Sequence, residues 1–163
     1  MKRLLTAAAS LLLVLFTVST AQAQMRYGAQ VSFGDDIDLG IGGRVGVSLD
    51  QYLENLEGVV SFDLFFPGEN QSFWTINANA LYPIPIEAGS LMPYAGAGLG
   101  IAHYTINFDS AFIDDYNETK FNLNLVAGTR FGSQGKLTPF AELRLPLGGF
   151  DGIGFFLCGG VMF

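Results

Sequence analysis

The chain has 163 residues, half of them hydrophobic and only 14% charged, with a formal net charge of −7. An acidic balance of this size repels phosphate and argues against nucleic acid as a partner. The single cysteine excludes an internal disulfide.

Taken in chain order, the first segment is a leader. Lys2 and Arg3 precede the apolar run Leu4 to Val18, and Ala21-Gln22-Ala23 supplies a small-x-small cleavage site. Residues 1–23 are therefore expected to be a signal peptide, and residues 24–163 a single domain. That domain holds no apolar run of the roughly 20 residues a membrane helix needs.

Beyond the leader, alternation with a period of two recurs about eight times, punctuated by Gly, Pro, Asp and Asn. Tyr27, Ala29, Val31 and Phe33 line one face of the first run. Ile41 to Leu49 forms the second, with Arg44 on its polar face. Gly58 to Phe66 forms the third, with Asp63 opposite its apolar positions. In the fourth, Trp74, Ile76, Ala78, Ala80 and Tyr82 oppose Phe73, Thr75, Asn77, Asn79 and Leu81. In the fifth, Ala95, Ala97, Leu99, Ile101 and His103 oppose a glycine-rich face. The sixth runs from Lys120 to Phe131 and the seventh from Thr138 to Leu145. The eighth covers Gly152 to Phe163, with Phe163, Val161, Leu157, Phe155 and Ile153 on one face and Met162, Cys158 and Phe156 on the other.

Alternation alone also fits a soluble barrel with its apolar face inward. Three features favour an apolar face turned to lipid. One face is persistently small or polar, which suits a narrow hydrated lumen. Aromatics on the apolar face cluster at run ends: Tyr27, Tyr82, Phe131 and Phe163 form one expected girdle, and Phe33, Phe66, Trp74, Phe121 and Phe155 the other. The connections are unequal, with Thr105 to Thr119 the longest and Gly132 to Lys136 a tight turn. The predicted fold is an all-β, eight-stranded, antiparallel up-and-down transmembrane β-barrel.

Pro93-Tyr94-Ala95-Gly96-Ala97-Gly98-Leu99-Gly100, Asn122 to Phe131 and Leu137 to Arg144 resemble the later strands of small outer-membrane barrels of the OmpA/OmpX-like superfamily. The resemblance covers the domain and is strongest from Pro93 onward. It departs at the terminal signal, where Cys158 and Val161 stand in place of the usual glycine and aromatic. The resemblance implies an outer-membrane barrel of a Gram-negative bacterium, exported through the signal peptide and handled by the assembly machinery. It implies a monomer in contact with lipid and lipopolysaccharide, without enzymatic activity or cofactor.

The polar residues fall into several constellations. Arg44, Asp63, Lys120, Arg130, Glu142 and Arg144 all fall on the interior face. Buried charges there must pair or meet water, because an unpaired ion costs several kcal/mol. The plain reading is a static polar core. The alternative is a narrow channel for ions or small solutes, gated by this network. Arg44, Asp63, Glu142 and Arg144 are expected to connect. Gly96 to Gly100 lacks the spacing and following helix of a dinucleotide loop, so its glycines are expected to make room for long side chains from across the barrel. Cys158 is read as a small interior residue. His103, with Thr105 two residues on, faces outward; a lipid-deacylating site there would need Thr105 as nucleophile and an acid from Glu118 or Asp109. Asp35, Asp36, Asp38, Glu69, Asp109, Asp114, Asp115, Glu118 and Asp151 make the outer loops acidic. Their spacing is not that of a calcium loop, and no metal site is expected. The functional expectation is a structural or surface-interaction role, adhesion-like in kind.

Overall fold

The computed structural model describes residues 25–163 except 36, 38, 69, 87–89, 107–115, 133–136 and 151. The signal-peptide expectation lies outside these residues, as do seven of the nine acidic loop positions and most of the turn at Gly132 to Lys136.

Eight strands form: β1 (Met25–Gly34), β2 (Leu39–Ser48), β3 (Glu57–Phe65), β4 (Gln71–Pro83), β5 (Leu91–Ile106), β6 (Tyr116–Phe131), β7 (Thr138–Leu147) and β8 (Phe156–Met162). Each pairs antiparallel with its chain neighbours, and β1 pairs with β8, closing the barrel. The closure runs to the last residue: Phe163 donates its N–H to the Tyr27 carbonyl at 2.7 Å and accepts from the Tyr27 N–H at 3.0 Å. No strand edge is left along this seam, which removes the template for pairing with other chains.

The alternation sorts the two faces. Val31, Phe33, Ile41, Phe62, Leu99, Leu123, Leu143 and Leu157 are exposed on the outside, Leu99 at 64%. Gln30, Ser32, Arg44, Asp63, Asn77, Asn124, Glu142 and Arg144 are buried inside. An apolar exterior around a polar interior inverts the soluble arrangement and suits a hydrocarbon solvent, where every backbone group must be paired within the sheet.

Strand ends differ from the sequence expectation at two places. β5 and β6 run longer, so Thr105 and Asn117 to Thr119 pair as strand rather than loop. Polar residues continue a strand above the lipid because the hairpin ladder, not an apolar face, holds them. β8 is shorter and starts at Phe156, so Phe155 and Ile153 precede it. Gly148 and Gly152 have φ of 81° and 95°, a left-handed backbone that breaks the strand. Ile153 then turns back against the core instead of facing outward.

Candidate functional site

The lumen is filled in three layers. At the end of the barrel that holds Met25 and Phe163, called inner below, Val59, Leu81, Tyr94 and Val126 form a buried apolar cluster. At the outer end, Phe65, Phe73, Phe156, Ala102 and Cys158 form another, joined by Ile37 from the β1–β2 connection and by Phe150 and Ile153 from the β7–β8 connection. Phe150 meets Phe73 edge-on at 5.9 Å, and Phe65 contacts Phe73 and Phe156, each at 5.4 Å. The sequence reading missed Ile37 and Phe150, because nothing local marks a loop apolar residue as turned into a barrel, and it put Ile153 on the outward face of the last strand. The space beneath Phe150, lined by Phe73, Thr75, Asn77 and Asn122, is a cavity of about 10 Å³, room for one water.

Between the apolar layers lies a polar band with two walls. On one wall, Arg44 clamps Glu142 with both terminal nitrogens, at 2.9 and 3.2 Å. Arg144 bonds the same carboxylate at 3.1 Å and reaches Asp63 at 3.4 Å. Asp63, fully buried, also accepts from Gln30 and from Ser32 at 2.8 Å. Gln30 in turn accepts from Arg44 Nε at 2.6 Å. Tyr94 donates to Glu142 at 3.0 Å, and the Arg44 guanidinium stacks on Phe140 at 4.0 Å. Two cations and two anions balance. Arg44 lies opposite Ser61, while Asp63 lies opposite Gly42, so Gln30 bridges them. Gln30 carried no charge to attract notice in the sequence.

The other two expected members lie elsewhere, which corrects the single six-charge constellation. Arg130 pairs with Glu57 at the inner mouth and stacks over Tyr94 at 5.0 Å. Lys120 lies at the outer mouth, 3.5 Å from Glu118 and 4.9 Å from the Phe150 ring centre. Depth separates them: both face inward, but Arg130 stands one inward position beyond the Gly128–Glu142 rung, towards Glu57, and Lys120 lies six residues from the Val126–Arg144 rung at the other end of β6.

On the opposite wall, β4 and β6 supply a ladder of carboxamides. Asn124 donates to Asn77 and Asn79 at 2.9 and 3.0 Å, Asn122 donates to Asn124, and Asn77 donates to Thr75 at 3.1 Å. β5 between them presents Gly98 and Gly100. A Cβ on Gly100 would meet Asn122 at 2.6 Å and Asn77 at 2.7 Å. The glycines therefore make room for side chains of the two flanking strands, not for residues from across the barrel.

Among the girdle residues, Tyr27, Tyr82, Phe131 and Phe163 are exposed at the inner rim, and Phe33, Phe66 and Phe121 at the outer rim, Phe121 at 73%. Trp74 is half-buried because it stacks on His103 at 5.1 Å. Phe155 is half-buried and lies just outside β8. Cys158 is buried beside Ser32.

His103 is held on both sides by hydroxyls, Thr119 at 2.7 Å on Nδ1 and Thr105 at 3.0 Å on Nε2. Glu118 does not reach it. Its carboxylate accepts from Tyr116 on the opposite face of β6, and Asp109 lies outside the described residues. The acid that a deacylating triad would need is thus not supplied by Glu118.

No family model and no characterised protein sequence matches the chain. Solved structures do. The N-terminal β-barrel domain of Pseudomonas aeruginosa OprF aligns with a TM-score of 0.65 at 21% identity, covering 87% of this chain and 98% of that one. Neisserial surface protein A aligns at 0.60 and 16% identity, covering 85% and 94%. Ail, the attachment invasion locus protein of Yersinia pestis, solved in complex with the heparin analogue sucrose octasulfate, aligns at 0.52 and 14%, covering 86% and 97%. The chain has the fold of the small eight-stranded outer-membrane barrels.

Proposed function

We propose that the protein is a monomeric, integral outer-membrane barrel of a Gram-negative bacterium with a structural or surface-interaction role, adhesion-like in kind, and no enzymatic activity. Residues 1–23 act as its signal peptide, and the assembly machinery inserts the domain of residues 24–163. The observation that carries this reading is the filled lumen. An apolar layer closes each end of the polar band, so the barrel offers its partners the outer rim rather than its interior. Outer-leaflet lipid, including lipopolysaccharide, is the immediate neighbour of that rim. The sulfated ligand of Ail does not carry over, since the outer connections of this chain are rich in Asp and Glu and repel polyanions.

Recording from planar bilayers tests the closed lumen. The protein is expected to leave membranes insulating. Reproducible single-channel steps that change on breaking the Arg44–Glu142 pair would replace this reading with the gated channel. Binding of cells expressing the barrel to host-cell or matrix surfaces, compared with cells lacking it, tests the adhesive role.

A further inference from the structure

The outside of β5 and β6 carries a polar cluster that takes no part in filling the lumen. Thr105, His103, Thr119 and Asn117 form a continuous set of hydrogen bonds on the lipid-facing side. Thr105 links to His103 at 3.0 Å and donates to Asn117 at 3.2 Å, and His103 links to Thr119 at 2.7 Å. Strands β4, β5 and β6 align them, with Trp74 opposite His103, His103 opposite Thr119, and Thr105 opposite Asn117. Just below, the Trp74–His103 stack and the exposed Phe121, two residues beyond Thr119 on the same face of β6, supply an aromatic shelf. The set thus stands at the level of the outer aromatic girdle, where acyl chains give way to headgroups.

The chemistry of the cluster narrows its ligand. Each Thr hydroxyl both donates and accepts, and the Asn117 amide does the same. A phosphate needs donors and positive charge, and among the described residues no Lys or Arg occupies an outward position of β4, β5 or β6. A sugar ring fits better. Its vicinal hydroxyls match mixed donors and acceptors, and its apolar C–H face suits an aromatic shelf.

We infer that Thr105, Asn117, Thr119 and His103, with Trp74 as the platform, bind the sugar headgroup of an outer-leaflet glycolipid. The inference rests on the membrane orientation proposed above and gives the lipid contact of that reading a defined place.

Trp74 is the only tryptophan in the chain, so its emission reports on the shelf directly. The barrel is folded into phosphatidylcholine vesicles and titrated with monogalactosyl diacylglycerol, which brings a sugar without charge. A parallel titration uses phosphatidylglycerol, which brings charge without a sugar ring. The galactolipid is expected to change Trp74 emission saturably, and phosphatidylglycerol to leave it unchanged. Replacing both hydroxyl partners, Thr105→Val with Thr119→Val, should raise the half-saturating galactolipid fraction at least fivefold, while Thr105→Ser preserves it. Asn117→Val supplies the same test if the double variant fails to insert. Equal responses to both lipids would mean simple interfacial anchoring and overturn the proposal. So would the absence of a galactolipid response, or variants that titrate like the parent. Failure of the parent chain to insert, seen as the loss of heat-modifiable gel mobility, would instead count against the membrane-barrel reading.

Discussion

Within the polar band, the wall formed by β1, β2, β3 and β7 carries four buried charges, whereas the wall formed by β4, β5 and β6 carries carboxamides and hydroxyls, its Lys120 and Arg130 lying at the mouths. Both satisfy buried polar groups, but at different ranges. Arg44 and Glu142 are 98 residues apart, and Arg144 and Asp63 are 81 apart. Their bonds join strands on either side of the β1–β8 seam and exist only once it has closed. The asparagine ladder links β4 to β6 over a glycine-lined β5 and needs only those three strands. A stranded ion costs more than a stranded amide. The charged wall therefore specifies the closed geometry, and the amide wall fills space with milder consequences for error.

The comparison breaks most visibly at Glu142, which holds both arginines. Glu142→Ala should destabilise the barrel by roughly 3–5 kcal/mol, since two buried cations lose their shared partner. Removing Glu142 and Arg144 together should cost less than the sum of the single changes. Urea titrations of folding into lipid vesicles give both values, and strict additivity would show that the charges are separately solvated.

Next in size is a contrast between the two faces of the amide wall. Leu99→Lys places a charge in lipid and should cost about 2–4 kcal/mol. Asn77→Lys, on the inner face, should act through crowding of the ladder instead. Equal and small effects of the two on vesicle folding would refute the assignment of faces.

Asn124 is the hub of the ladder, and Asn124→Ala should cost about 1–3 kcal/mol by leaving Asn77, Asn79 and Asn122 without their partner. A loss as large as that of Glu142→Ala, measured in the same titration, would erase the distinction between the walls.

The smallest effect is expected at the inner mouth. Arg130 and Glu57 pair where water reaches both side chains, so Arg130→Ala should cost about 1 kcal/mol or less. A larger loss would place that pair within the specifying network.

Legibility in the sequence followed the range of the interactions involved. The alternation from Tyr27 to Phe33, or from Trp74 to Tyr82, is local, so the strands and their faces could be read directly. Which charges meet depends on stagger between strands, and no local pattern encodes it. Lys120 and Arg130 share the inward parity of Asn122 and Asn124 yet end at opposite mouths. Gln30 became a partner of Asp63 and Arg44, and Glu57 of Arg130, through register alone. Thr105 and Thr119 read as loop because their polarity matched a connection, although above the lipid a strand has no need of an apolar face. Ile37 and Phe150 were illegible for the opposite reason, since a connection that folds into the lumen leaves no periodic trace, whereas Ile153 was misread because it falls in step with the alternation of the last strand.

The pair of hydrogen bonds between Phe163 and Tyr27 also orders events in time. Of the eight strands β1 is made first and its mate in the seam, β8, last, so that edge of β1 has no native partner until every strand between has been made. During that interval the earliest strand is a sticky ribbon, open to pairing with a neighbouring nascent copy, and the contact that relieves it has nearly the greatest sequence separation the chain allows, which makes it slow to find. Until the seam closes, the open edge of β1 is an aggregation liability, so losing the Phe163–Tyr27 contact should tell on solubility before it tells on stability.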